Sequence, residues 1–359
     1  MKDLKARIID LIGMEGPIPV ADYMAICLYD PRQGYYTTRE PFGSGGDFIT
    51  APEVSQMFGE LIGAWIVTAW RALGQPIRPT IAEIGPGRGT LMKDMVRTIL
   101  RIAPDLHAAA DFRLVEVSPR LAEAQAATLR DMPGRFVWHR DIDELPNQPL
   151  FVVGNELFDA VPIRQYVRAA DGWRERCVAV DNGNLVFAVG AGSLNESLLP
   201  PAAADAPQGS IAEIAPARAA LMEKIARRLA QHGGAGLFID YGYLTPAIGD
   251  SFQALRGHAY ADPLAEPGKA DLTAHVDFAA LATPARAVGL HAQLATQGDF
   301  LLRMGLLERA GRLGANADAS GRERISQAVQ RLAGPDEMGD LFKVIAISTR
   351  PLPPFAEDD

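Results

Sequence analysis

The chain has little cysteine. Two in 359 residues, Cys27 and Cys177, stand far apart, which argues against a disulfide framework or a cysteine-rich metal knot. Its six histidines show neither H-x₃-H nor H-E-x-x-H spacing, so no metal site is expected. There is no long hydrophobic run: the longest, near Leu61 to Trp70, is about half a membrane span, and no membrane insertion is expected. Basic charge is also in deficit. Lys and Arg number 35 against 44 Asp and Glu, a net charge of −9. That argues against nucleic acid as a partner, because phosphate binding calls for a basic face, and it suits a positively charged substrate. The N-terminus, Met1-Lys2-Asp3-Leu4-Lys5-Ala6-Arg7-Ile8-Ile9, mixes charges throughout and lacks the apolar core of a secretory leader. A soluble, cytoplasmic protein is the expectation. Hydrophobic residues at 48% support a packed core, and the length fits one large α/β domain with additions, or two domains.

What is present is concentrated in Thr80-Ile81-Ala82-Glu83-Ile84-Gly85-Pro86-Gly87-Arg88-Gly89-Thr90-Leu91. An apolar run ends in an acid, Glu83. Three alternate glycines follow, Gly85, Gly87 and Gly89, and a helix opens at Thr90. This is a strand feeding a tight turn, with the exposed N–H groups of a helix start beyond it. A dinucleotide fingerprint needs a small residue where this chain has Thr90 in one register and Met92 in the other. An NAD-dependent oxidoreductase is thereby disfavoured. The remaining E-x-G-x-G-x-G resembles motif I of class I S-adenosyl-L-methionine (SAM)-dependent methyltransferases. Such a turn can offer N–H donors to a carboxylate and an acceptor to an ammonium, as the methionine part of that cofactor requires.

The next strand, Phe112-Arg113-Leu114-Val115-Glu116-Val117, ends in an acid and is followed by Ser118-Pro119, a helix start. In a doubly wound sheet Glu116, with Val117 beside it, lies next to the glycine turn, where the acid can accept both ribose hydroxyls. A third strand, Arg135 to His139, leads to Asp141-Ile142, an acid–apolar pair suited to an adenine amine and ring face.

Organisation follows from patterning. Residues 1–75 read as mostly helical. One helix runs from Lys2 to Gly13, and Thr50-Ala51-Pro52-Glu53 reads as a capping box opening another to about Leu73. This section could cap the carboxyl edge of a sheet. From 76 to 359 strands and helices alternate, implying a parallel sheet covered on both faces. Hairpin turns at Asp171-Gly172 and Asn182-Gly183-Asn184 mark an antiparallel β insert at about 163–210. A second insert, at about 243–275, reads as irregular. A helix from Pro216 to His232, a buried strand at Gly236 to Asp240 and a final strand at Phe342 to Thr349 complete the pattern.

The fourth core strand, Leu150 to Gly154, delivers Asn155-Glu156-Leu157-Phe158-Asp159-Ala160-Val161-Pro162 to the crevice. Glu156 and Asp159 share a face if this turn is helical. They are the candidates for orienting a guanidinium through paired hydrogen bonds and for stabilising its charge. Asn155 and Phe158 match the ends of an Asn-Pro-Pro-Tyr/Phe loop found here in enzymes that methylate amino groups of nucleic acids and glutamine. Glu156 and Leu157 replace both prolines.

Longer matches cover nearly the whole chain. Gly46-Asp47-Phe48-Ile49-Thr50-Ala51-Pro52-Glu53-Val54-Ser55-Gln56-Met57-Phe58-Gly59-Glu60, Ile84 to Leu91, Val115 to Ser118 and Phe158 to Pro162 resemble motifs of the MidA-type methyltransferases. So do Asp240-Tyr241-Gly242, Ala270 to Thr273 and Gln297 to Gly305. These are bacterial relatives of a mitochondrial complex I assembly factor. The resemblance implies a class I (Rossmann-like) α/β fold. Its seven-stranded sheet would have helices on both faces and its last strand antiparallel. The resemblance also implies SAM as methyl donor and protein arginine as acceptor, the mitochondrial target being a complex I peripheral-arm subunit. It implies that the segment from Asp47 to Glu53 helps close over the cofactor. A SAM-binding assembly chaperone without turnover is the other class of function open at this point, and the oligomeric state is not implied.

Overall fold

A computed structural model describes residues 2–38, 50–257 and 259–355. The contacts divide the chain into two compact units. One comprises Met1–Phe48, Phe158–Leu221 and Thr245–Asp277; the other comprises Ile49–Leu157, Met222–Leu244 and Phe278–Asp359. The first break therefore falls near residue 48, whereas the sequence placed a boundary at 75. The reason is the helix Gln56–Ala72, whose Phe58, Ile62, Trp65 and Ile66 are buried in the core of the second unit.

That second unit is built on β1 (Thr80–Ile84), β2 (Asp111–Val115), β3 (Phe136–His139), β4 (Leu150–Asn155), β5 (Gly234–Tyr243), β6 (His291–Thr296) and β7 (Phe342–Ser348). They lie in the order β6-β7-β5-β4-β1-β2-β3. From β5 to β3 neighbours run parallel, while β7 is antiparallel to both β5 and β6. All of β1 and most of β4 are buried, as expected of parallel strands covered on both faces. Ile81, Phe151, Val153, Leu237 and Ile239 join one core with the helices Gln56–Ala72 and Thr90–Ile102. Ala82, Val152, Phe238 and Ile345 alternate with them and are buried toward the opposite face. The fold is thus α/β with a central, mostly parallel sheet.

One topological feature positions the site. The chain winds from β1 outward through β2 to β3, then returns to place β4 on the other side of β1. The β1/β4 junction is a switch point, where loops leaving the carboxyl ends part and leave a crevice.

The first unit holds an antiparallel sheet of Ile18–Pro19, Arg164–Ala169, Gly172–Asp181, Asn184–Leu194 and Ile211–Ile214. Its core joins Ile8, Tyr23, Met24 and Leu28 of two N-terminal helices to Val178, Leu185 and Phe252. The expected hairpins are present, with turns at Ala170-Asp171 and Asn182-Gly183. The segment read as irregular contains a small sheet of Gln253–Arg256, Ala259–Ala261 and Asp271–Thr273. Two more expectations are corrected. The N-terminal helix passes Gly13 and stops at Gly16, whose φ of +86° suits glycine. The Thr50 capping box does not form: Thr50 makes no side-chain cap, the chain turns extended at Ser55, and Ser55 caps a new helix by accepting the Met57 N–H.

Candidate functional site

The glycine turn is left-handed at each alternate position. Gly85, Gly87 and Gly89 have φ of +65°, +54° and +81°, values that disfavour any residue with a Cβ. The Gly85 N–H donates to Val115 O at 3.1 Å, fastening the turn to the end of β2. Gly89 is the cap of the helix Thr90–Ile102 and offers no side chain, so Thr90 and Leu91 receive no cap from it, while the Met92 N–H is taken by Glu83.

Two acids frame the turn. Glu83 is 2% exposed and held by the Met92 N–H, while its Oε2 has no hydrogen-bond partner among the described residues. Burial, reinforced by the charge of Glu116, pushes its carboxyl well above the ordinary range. Glu116 leaves the end of β2 beside the turn. Its Oε1 accepts the Ser118 N–H at 2.8 Å and its Oε2 accepts Gln125 Nε2 at 3.0 Å. Burial raises its pKa, opposed by those donors. Val117, next in the chain, is 54% exposed, an apolar side chain left in solvent at this edge.

Ser118 is as the sequence suggests, capping the helix Pro119–Leu129. Gln125 on that helix escaped the sequence reading. It is fully buried on the face that also buries Leu121 and Leu129, and a polar residue in that register is the signal that could have found it.

At the end of β4 the backbone is strained. Glu156 has φ of +52°, rare for a side chain of its size, and its N–H donates to Ile239 O at 2.8 Å. Asn155 Nδ2 donates to Glu156 Oε1 at 2.9 Å, while the buried Asn155 Oδ1 has no hydrogen-bond partner among the described residues. Leu157 packs toward the turn: a Cβ built on Gly85 would lie 3.6 Å from it, and one on Gly154 2.9 Å. Asn155, Glu156 and the glycine turn therefore meet at the switch point.

Other expected residues stand differently. The left-handed Glu156 breaks any helical turn, so the shared face expected for Glu156 and Asp159 does not form. Asp159 lies in the first unit, 5% exposed, with Oδ1 accepting the Ala160 N–H and its carbonyl accepting from Arg218. The Asp141 carboxylate caps a short helical turn through the Asp143 N–H and pairs with Lys224 at 2.6 Å. Ile142 is buried at 3% exposure. Asp47 lies outside the described residues.

The residues present fit a nucleoside bearing an amino-acid tail. Buried oxygens on Glu83 and Asn155 without a partner among the described residues suit a cationic amine, the first N–H groups of a helix without a capping side chain from Gly89 suit a carboxylate, and an anchored Glu116 suits vicinal hydroxyls.

Comparison with known proteins agrees with this geometry. A family model described as S-adenosyl-L-methionine-dependent methyltransferase matches residues 61–296. The chain is 35% identical to the mitochondrial protein arginine methyltransferase NDUFAF7 of Xenopus laevis, across 94% of this chain and 82% of that protein. It is 34% identical to the Homo sapiens protein of the same name, across 94% and 81%. Among solved structures, a superfamily member from Burkholderia thailandensis bound to S-adenosyl-homocysteine superposes with a TM-score of 0.84 at 31% identity, covering 96% of this chain and 91% of that one. These relatives overturn one expectation: NDUFAF7 is named mitochondrial, which conflicts with a cytoplasmic assignment.

Proposed function

The chain belongs to the S-adenosyl-L-methionine-dependent methyltransferase family, and from that membership we propose that it methylates arginine on a protein. SAM, when bound, supplies a methyl group on an electrophilic sulfonium. In this reading the glycine turn and helix start receive the methionine carboxylate, and Glu83 its ammonium. Glu116 takes the ribose hydroxyls, while Val117 and the Asp141-Ile142 turn meet the adenine. The similarity to NDUFAF7 over almost the full chain supports arginine as the acceptor. A subunit of the complex I peripheral arm is the partner that the family resemblance implies.

The observation that carries the acceptor side is Glu156. Its strained backbone at the switch point is costly, and such strain is kept where a side chain must be aimed. A guanidinium has a pKa above about 12, so a protein base removes its proton with difficulty. A carboxylate instead orients the planar fork and excludes competing geometries, and positioning supplies most of the rate effect. Asn155 Nδ2, donating to Glu156 Oε1, holds that carboxylate in place.

The purified protein, given methyl-labelled SAM and an extract of cells that lack it, should label arginine on a discrete protein, read by mass spectrometry. Glu156→Gln should lower turnover by roughly 100-fold while leaving S-adenosyl-homocysteine affinity within about threefold. Undiminished turnover in that variant would remove Glu156 from the acceptor site. A tight partner that is bound but never labelled would replace the enzyme by a SAM-binding assembly chaperone.

A further inference from the structure

We infer that Gln125 is a positioning residue that sets the spacing between the glycine turn and the ribose acid, and so the selectivity for a ribose hydroxyl. This rests on the cofactor reading above.

Gln125 has no exposed surface, and burying a primary amide is costly unless its donors and acceptor are all matched. Here they are matched by three separate elements. Trp138 Nε1, on β3, donates to Gln125 Oε1 at 2.8 Å. Gln125 Nε2 donates to the Gly87 carbonyl at 2.9 Å and to Glu116 Oε2 at 3.0 Å. The indole is a donor only, so the amide oxygen must face Trp138 and the amide nitrogen must face the turn and the acid. One side chain thereby fixes the middle glycine of the cradle against the carboxylate beside it. The approach is close: a Cβ on Gly89 would lie 3.4 Å from Gln125 Cα and 3.5 Å from its Cβ.

The consequence concerns the hydroxyls. Glu116 accepts the Ser118 N–H on Oε1 and Gln125 on Oε2, with the Val117 N–H as a further backbone donor, so Gln125 is the one side chain among these donors. A carboxylate has about four lone-pair directions, so donors on both oxygens lock its plane and still leave room for a ligand. Without the Gln125 donor, the carboxylate is held by backbone N–H groups alone, and the oxygen that Gln125 fixed is held less firmly toward the diol. Selection of a ribose hydroxyl should suffer before overall binding is lost.

The test uses the full-length protein, isothermal titration, and two probes: S-adenosyl-homocysteine and its analogue lacking the ribose 2′-hydroxyl. The wild type should prefer the hydroxylated probe by roughly tenfold, the scale of a hydrogen bond to a carboxylate. Gln125→Met keeps the volume without the hydrogen bonds, and in it the preference should shrink to about twofold. Gln125→Ala should behave alike, and the Met variant serves if the Ala variant does not fold. A buried glutamine that merely packs would lower both affinities equally and leave their ratio unchanged. That result, or wild-type affinities in both variants, would overturn this inference alone. Failure of the wild type to bind S-adenosyl-homocysteine would overturn the cofactor reading and this inference together.

Discussion

Glu83 carries a cost that the fold by itself does not offset. Its carboxyl is buried with a single backbone donor, and one oxygen has no partner among the described residues. Its pKa in the folded protein stands well above the ordinary glutamate range, raised chiefly by burial and also by the charge of Glu116. The sign of the pH dependence follows. Below the unfolded value both states hold the proton and the group is neutral to stability. As pH rises through the unfolded value the unfolded chain releases its proton while the folded chain retains it, so stability falls until the folded value is passed. Glu83→Gln keeps an acceptor for Met92 and cannot titrate. Its melting temperature should therefore fall less than that of the wild type as pH rises above the ordinary glutamate range, leaving the variant the more stable of the two there. The same substitution should weaken S-adenosyl-homocysteine by roughly tenfold or more, because an amide replaces the partner of an ammonium. A variant that is more stable and binds worse would mark Glu83 as a residue retained for ligand, as strained sites often are. Parallel pH profiles for variant and wild type would refute the burial argument.

The helices Gln56–Ala72 and Thr90–Ile102 show how two glycines bring secondary structure together. A Cβ on Gly59 would lie 2.6 Å from Asp94 Cβ, and one on Gly63 would lie 3.0 Å from the backbone of Met95. Gly59→Ala gains about 1 kcal/mol of helix propensity but forces the helices apart, and overpacking of this kind costs about 1–3 kcal/mol. A net loss of stability is expected in urea titration. Gly13→Ala serves as the contrast, since none of the described residues lies within 4 Å of a Cβ there. It should be neutral or slightly stabilising, and a Gly59→Ala protein as stable as the wild type would show that the helices can shift freely. Elements of this kind were largely readable in the sequence, because periodicity and caps act locally: β1 to β4, the Ser118 cap and the helix Pro216–His232 stand where the pattern puts them. The glycine turn and Glu116 were legible for the same reason. What escaped depends on distant partners. Ser55 offers a second cap only five residues after Thr50, and tertiary packing decides between them. The strands Gln253–Arg256 and Asp271–Thr273 are short and separated by an intervening strand and loop. Gln125 escaped because its three partners come from the glycine turn, the residue after β2, and β3. Asp159 was placed by assuming a helix that the left-handed Glu156 forbids.

Over the whole molecule, the chain leaves the sheet-bearing unit immediately after Leu157, one residue beyond Glu156. Every residue assigned to the cofactor among those described, from Glu83 through Glu116 to Asn155, belongs to that unit. Ligand binding should therefore stabilise it unevenly. A ligand present at about 100 times its dissociation constant adds about 2.7 kcal/mol to the state that binds it. Amides that open locally report that gain only where the opening disrupts the site. Hydrogen exchange with S-adenosyl-homocysteine should slow at Gly87 to Leu91, in the turn and helix start, and at Glu116 to Leu121 behind the ribose acid. The N–H groups of Asn155 to Leu157 should slow as well, because Leu157 packs toward Gly85. The antiparallel pair Arg164–Ala169 and Gly172–Asp181 in the other unit should exchange at an unchanged rate. Protection that appears in that pair and spares Gly87 to Leu91 would mean that the ligand is held by a different surface, and the assignment of the glycine turn would have to be abandoned.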